Sequence, residues 1–360
     1  MFSVTAPTLA DVAREVGVSR TTVSNAYNRP DQLSPQLRER ILAAAVKLGY
    51  SGPDPVARGL RRGRTGLVGL VYDQPLSYLF TDPASLIFVV GMTSVWDDVG
   101  TSVALLPRLQ AEDAGVSVLA NAAVDGFVSI CGDVGDDRLD ALGVRGLPFV
   151  MVDAAFSGAR CQVVVDDRGA TAEATRHLLG LGHRRLAVVA LPSGPGSPGG
   201  PLPPSDPGPI RYAVMADRLV GVRDAVEEAG LSWDAVPVVA VPDDQSPRAA
   251  SRQVAGELLE RDDRPTGLVC MSDELGAGAI DAATARGIDV PGQMSVVGFD
   301  DTPTGLTTTP QLTTVHQPLA EKGAEAARLL LEGAPERIVR LPTELVVRAS
   351  TGPPPDGVAP

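Results

Sequence analysis

The sequence predicts an α/β body of two doubly wound parallel-sheet lobes, preceded by an all-α headpiece built on a helix-turn-helix. Three observations carry this reading. From Gly66 onward, short apolar runs alternate with helical stretches, as strands joined by helical crossovers do. Nine such runs are present, too many for one compact sheet of this type, so two lobes with a cleft between them are expected. Residues 1–50 show no such alternation and carry a 3.6-residue period instead.

The headpiece reads in order. Thr8 followed by Asp11 is a capping-box-like start for a helix whose apolar face is Val12, Ala13 and Val16. Gly17 breaks that helix and Ser19 caps the next. On the second helix Val23, Ala26 and Tyr27 face one way, while Arg20, Thr21, Ser24 and Asn25 face the other. One face for packing and one polar face suit entry into a DNA major groove. Ser34-Pro35 then starts a third helix with an apolar stripe of Leu37, Ile41, Leu42, Ala45 and Leu48, which Gly49 ends.

Charge agrees with that division. Residues 1–65 hold ten Lys/Arg and five Asp/Glu, and the remainder carries −18 within a total of −13. A small basic head on a large acidic body confines nucleic-acid binding to the N-terminus. At 360 residues, two or three domains are expected. No apolar run reaches the length of a membrane span, and no basic-then-apolar leader opens the chain, so a cytoplasmic protein without membrane contact is expected. Cys131, Cys161 and Cys270 lie far apart and form no CxxC. They read as buried thiols of a reducing compartment, and no metal or cofactor is expected.

Between headpiece and body, Asp54-Pro55 can start a very short helix carrying Val56, Ala57 and Leu60, followed by Arg61, Arg62 and Arg64. Alone in water it is too short to hold together. It reads either as a flexible linker or as a segment that folds against DNA or a second copy, with Leu60 as an apolar wedge.

TLADVAREVGVSRTTVSNAYN, LSPQLRERILAAAVKLGY and VARGLRRGRTGLVGLV together resemble the LacI/GalR family of bacterial transcription regulators over nearly the whole chain. The resemblance implies a homodimer, or a dimer of dimers, that binds a double-stranded, pseudo-palindromic operator, most often as a repressor. It implies base reading by Arg20, Thr21 and Asn25, and phosphate contacts from Thr8, Ser19, Thr22, Ser24 and Asn28. For Ser19 and Asn28, plain roles in capping and ending the helix stay open. In the minor groove it implies a hinge of Ala57, Leu60 and Arg61, where Leu60 pries open a pyrimidine–purine step, the cheap place to kink a duplex. The implied domains are a headpiece at 1–52, a hinge at 53–64, an effector-binding body at 65–350 and a disordered tail at 351–360. Within the body the first lobe is 65–165 plus 317–343, and the second is 166–316 plus 344–350.

The body's strand candidates are Leu67–Val71, Val103–Leu106, Gly126–Ile130, Phe149–Val152, Gln162–Val165, Leu186–Leu191, Val238–Val241, Leu268–Met271 and Val296–Phe299. Helices fall between them, for example at Ala170–Leu179, Leu219–Glu228 and Glu274–Arg286. DGFVSICGD, CMSDELGAGAIDAA, SVVGFDDTP and LTTVHQPLAEKGAEAARLLL are similar to recurring segments of a type I periplasmic sugar-binding body. That likeness implies a small-molecule effector, above all a sugar, in the cleft. It implies Arg218 holding effector oxygens, Asp153 and Asp300 accepting from hydroxyls, and Phe80, Asp82, Ser272 and Asp273 lining the pocket. Helix capping by Asp300 or Asp273, and an ordinary core place for Phe80, remain open.

Pro192 to Pro209 holds eight prolines and five glycines and reads as an inserted flexible loop at the mouth of the cleft. Its formal GxGxxG at Gly194–Gly199 is rejected as a dinucleotide site, because the prolines remove amide donors and no helix follows. No P-loop, HExxH or GxSxG is present, and His177, His183 and His316 form no catalytic set, so an enzyme is not expected. A freestanding sugar- or nucleoside-binding protein of transport or sensing type is the alternative, followed by a carbohydrate-active enzyme. The first would carry an export signal and no DNA-binding head.

Overall fold

A computed structural model describes residues 7–52, 64–72, 74, 76–106, 118–130, 145–154, 161–333 and 336–355. The chain divides into two units, Met1–Gly66 and Leu67–Pro360. Ala57, Leu60, Arg61 and Cys131 lie outside the described residues.

Among its described residues the first unit has three α-helices: α1 (Leu9–Val16), α2 (Arg20–Asn28) and α3 (Pro35–Leu48). Thr8 closes a capping box with Asp11, and Gly17 ends α1 at φ +73°, a conformation glycine adopts without a Cβ penalty. Val12, Val23 and Ile41, one from each helix, are fully buried and form the centre of a small core. Tyr27 and Tyr50 close its edge in a T-shaped pair with centroids 6.1 Å apart.

The second unit has two sheets. The first contains β1 (Leu67–Tyr72), β2 (Ser102–Leu106), β3 (Phe127–Ile130), β4 (Phe149–Val152), β5 (Cys161–Val164) and β12 (Arg337–Arg340) in the order β12-β5-β4-β3-β1-β2. All its pairs are parallel. The second contains β6 (Leu186–Ala190), β7 (Gly200–Leu202), β8 (Val238–Ala240), β9 (Gly267–Cys270), β10 (Ser295–Asp300), β11 (Thr313–His316) and β13 (Glu344–Val346) in the order β13-β11-β10-β9-β6-β8-β7. Only its edge strands β7 and β13 pair antiparallel. The near-continuous apolar strands follow from burial on both faces.

Helices cover the sheets: α4 (Leu76–Leu79), α5 (Pro83–Asp97), α6 (Asp167–Gly180), α7 (Ala213–Glu228), α8 (Pro247–Leu259), α9 (Asp273–Ala285), α10 (Pro303–Thr307) and α11 (Leu319–Glu332). The chain passes between lobes three times: from β5 to α6, from β11 to α11, and from β12 to β13. Helix α11 returns to pack on α5 with backbones nearly touching. A Cβ on Gly91 or Gly323 would collide with the carbonyl of Ala320 or Phe88. Every apolar run singled out in the sequence is a strand, while β7, β11, β12 and β13 are additions.

Two expectations are corrected. The segment 192–209 is not a free loop: it holds β7 on the sheet edge, and Trp233 Nε1 donates to the Pro204 carbonyl at 3.0 Å. The tail is not disordered over 351–355. Gly352 N–H donates to Ser295 Oγ at 3.0 Å, and its carbonyl meets the buried His183 at 2.9 Å. Among the described residues, no helix is long and apolar enough to cross a membrane, and no His/Cys/Asp/Glu cluster could hold a metal.

Candidate functional site

In each sheet of the body the strand order reverses beside a central strand. In the first, β1 has β2 on one side and β3 on the other; in the second, β6 has β8 and β9. Crevices open beyond the strand C-termini at such points. A cavity of about 150 Å³ occupies that place between the lobes. Tyr72, Ile130 and Asp153 reach it from the ends of β1, β3 and β4. Leu191, Val241, Ser272 and Asp300 reach it from the ends of β6, β8, β9 and β10. The three non-glycine residues with positive φ in the described chain are Asp153 (+57°), Asp300 (+110°) and Asp301 (+56°), all at these strand ends. Backbone strain of that kind is held only where its surroundings fix it, and it gathers at functional sites.

A buried polar chain crosses the site. Arg218 on α7 donates through Nε to Asp167 at 2.8 Å and through Nη1 to the Met271 carbonyl. Its Nη2 stands 3.8 Å from Asp300, and its guanidinium lies over the Phe299 ring at 3.5 Å. Gln317, on the second crossing segment, donates to Asp300 at 2.6 Å and accepts from Lys322. Lys322 grips both oxygens of Asp153 at 2.7 and 2.9 Å. This links Asp167 and Gln317 on two crossing segments with Asp153 in one lobe and Asp300 in the other. Burial pushes the Asp167 and Asp300 carboxyls up, and Arg218 pulls both back.

Aromatic surfaces complete the walls: Tyr72, Tyr78 and Phe88 from the first lobe, Tyr212 from the second. Asp82 caps α5 by accepting from the Ser85 amide and hydroxyl at 2.9 and 2.6 Å. Desolvation raises both the Asp82 carboxyl and the Tyr78 phenol.

In the headpiece, Arg20 and Thr21 stand exposed on the first turn of α2. The Ser19 hydroxyl accepts from the Thr22 amide at 3.0 Å. Asn25 Nδ2 donates to Gln32 at 3.2 Å, and Asn28 Nδ2 donates to the Ser24 carbonyl at 3.0 Å. The Thr8 hydroxyl donates to Asp11 at 2.7 Å, which lowers the Asp11 pKa.

Comparison with known proteins matches residues 8–52 to the model for bacterial regulatory proteins of the lacI family. Residues 65–201 match periplasmic binding proteins and the sugar binding domain of the LacI family, and residues 175–351 a periplasmic binding protein-like domain. An HTH-type transcriptional regulator of Mycolicibacterium smegmatis is 42% identical over 361 residues, covering 96% of this chain and 97% of the relative. The chain belongs to the LacI family. This LacI-family chain is therefore a DNA-binding transcriptional regulator, not an enzyme. A LacI-family regulator from Corynebacterium glutamicum aligns with TM-score 0.72 at 31% identity, covering 96% of this chain and 99% of the other. The lac repressor dimer, bound to operator and the anti-inducer ONPF, aligns with TM-score 0.76 at 25% identity over 97% and 100% of the two chains.

Within this LacI-family body, Asp82, Asp153, Arg218, Ser272 and Asp300 come together at the cavity. Two expected lining residues do not. Phe80 is 61% exposed and outside the cavity, because it follows α4 where the chain turns to solvent. Asp273 points inward from the first turn of α9, where it accepts from the Thr302 amide at 2.6 Å and from the Thr314 hydroxyl at 2.5 Å. It ties α9 to β11 and to the segment after β10. The sequence reading missed Tyr78, Tyr212, Asp243, Gln317 and, behind the cavity, Lys322. A signal for Lys322 exists: it lies on the α11 stripe with Leu319, Ala326 and Leu330, where a surface lysine does not belong.

Proposed function

We propose that the chain is a homodimeric repressor whose headpiece reads one half of a pseudo-palindromic operator, under control of a sugar in the interlobe cavity. The observation that carries this is the buried chain from Asp167 through Arg218, Asp300, Gln317 and Lys322 to Asp153. It joins the cavity to two of the segments on which the lobes pivot, so a ligand engaging Asp300 or Asp153 competes with contacts that fix the lobe angle. The lac repressor complex, a dimer holding operator and a small molecule, supports the reading. Exposed apolar side chains support a second copy: Leu86 and Val90, one turn apart on α5, are 39% and 64% exposed, and Phe80, just before that helix in the chain, is exposed as well. Arg20, Thr21 and Asn25 are the proposed base readers, with Thr8, Ser19, Thr22, Ser24 and Asn28 on phosphates; arginine suits guanine and asparagine suits adenine. The proposed hinge is Ala57, Leu60 and Arg61. Selection of duplexes from a random pool with the full chain tests this. Enriched inverted repeats are the expected outcome, and single half-sites without symmetry contradict the dimeric reading.

A further inference from the structure

We infer that Lys322 is a positioning residue of the effector site: it turns the Gln317 amide so that its NH2 end faces Asp300 and the cavity, which makes Gln317 a hydrogen-bond donor to the molecule the cavity holds. The inference rests on the reading of this cavity as the effector site.

The chemistry of its neighbours leaves the amide one orientation. The Lys322 ammonium has three N–H donors and no acceptor. It donates to Asp153 Oδ1 at 2.7 Å, to Asp153 Oδ2 at 2.9 Å and to Gln317 Oε1. Only the carbonyl end of an amide can meet an ammonium, so the NH2 end of Gln317 is turned the other way. There Nε2 donates to Asp300 Oδ1 at 2.6 Å. An amide NH2 carries two protons. Gln317 lines the cavity and is 4% exposed, and its second N–H has no partner among the described residues. A ligand oxygen there satisfies a buried donor that is otherwise costly to leave unmade.

Lys322 itself stays behind the wall. It is 1% exposed and is not among the residues lining the cavity, so it acts on a ligand through Gln317 and Asp153 and not by contact. Its place is fixed on both sides. Gly323, the next residue, lies so close to α5 that a Cβ there would collide with the Phe88 carbonyl, which pins the first turn of α11. Asp153 is held at φ +57° beyond the end of β4. Packing alone does not call for a lysine here, because replacing a buried ion pair by apolar side chains of like volume is often neutral or stabilising. What the charge adds is direction. With an apolar side chain at 322, the amide is steered by Asp300 alone. Burial pushes that carboxyl up, and its protonated form donates where the carboxylate accepts.

Two measurements on the full chain test this. The first needs no ligand. With glutamine side chains isotopically labelled in nitrogen, the Gln317 amide signal is identified by its loss in Gln317→Met, and its hydrogen exchange is followed. Asp153→Asn together with Lys322→Met removes both charges and leaves no carboxylate unmatched. Exchange of the Gln317 amide should then quicken on the order of tenfold or more. Unchanged exchange overturns the role given to Lys322.

The second takes its probes from a thermal-shift panel of aldopentoses, aldohexoses, cyclic polyols and nucleosides. Calorimetry with each binder compares the parent, Gln317→Met, the paired replacement at 153 and 322, and the triple variant. The share of the loss due to Asp153 itself is common to both backgrounds and cancels. The paired replacement should therefore weaken binding on the order of tenfold more in the parent than in Gln317→Met, and equal losses overturn the inference. Gln317→Glu at pH 8 keeps acceptors for the ammonium and removes the donor, so it should weaken binding on the order of tenfold; undiminished binding overturns the donor role. No binder in the panel overturns the effector reading and the donor role with it, while the exchange result still decides the link between Lys322 and Gln317.

Discussion

Arg218→Met is the sharpest single perturbation of the body. Methionine keeps most of the volume and the contact with Phe299, so packing changes little. What is lost is the guanidinium between Asp167 and Asp300, which are 7% and 8% exposed, and the donor to the Met271 carbonyl. Removing one partner of a buried ion pair costs about 3–5 kcal/mol, because the other charge stays buried and unmatched. Both carboxyls are already pushed up by burial and held back by Arg218. In the variant they rise further and take up protons on folding, which limits the loss. The sign follows: the folded state then binds more protons than the unfolded one, so the variant loses stability as pH rises. Urea unfolding of the full chain at pH 5 and pH 8 should give a deficit of about 4 kcal/mol at pH 8 and a clearly smaller one at pH 5. Adding Asp167→Asn and Asp300→Asn should recover much of it. A single variant as stable as the parent at pH 8, or equally unstable at both pH values, would refute the view of Arg218 as a buried counter-ion.

Three other outcomes are expected. Gly323→Ala should destabilise the body by more than about 2 kcal/mol in the same assay, since the new methyl collides with the Phe88 carbonyl and must push α11 off α5; a change under about 0.5 kcal/mol contradicts the close helix contact. Burial pushes the Asp273 carboxyl up to about 6 from its ordinary 3.8, so its contribution to stability is best below about pH 4 and is lost as pH rises through 6. Asp273→Asn should accordingly gain on the parent between pH 4 and 7, by at most about 3 kcal/mol, and a flat difference across that range counts against the shift. Arg20→Ala should weaken binding to the selected DNA by about 1–3 kcal/mol and relax preference at one base pair. Anisotropy titrations showing an equal loss for every sequence would make Arg20 a phosphate contact instead.

Much of the fold was legible because burial on both faces leaves a plain signal. Phe149–Val152 is an unbroken apolar run and Phe127–Ile130 is interrupted only by the small, buried Ser129, and a fully buried parallel strand reads that way. The missed strands are edges or carry mixed patterns. β12 reads Arg-Ile-Val-Arg and is largely exposed, so no apolar run marks it. β7 lies inside the proline-rich segment. Its Pro201 is compatible with a strand because an edge leaves half of the amides without ladder partners. The site was half legible for a related reason. Neighbouring residues on one turn point to different places, so Ser272 and Asp273, alike as polar residues after a strand, part company: one faces the cavity and the other enters the core. Lys322 escaped notice because its partner, Asp153, stands 169 residues away in sequence.

The account turns on one coupling, that a molecule in the interlobe cavity changes the grip of the headpiece on DNA. The direct measurement is the affinity of the full chain for its selected inverted repeat, by anisotropy at fixed salt, without and with a saturating concentration of the tightest-binding sugar found by thermal shift. A change on the order of tenfold is expected, and it should vanish when Asp153, Asp300 and Arg218 are replaced together. Equal affinities with and without the bound sugar would contradict the account.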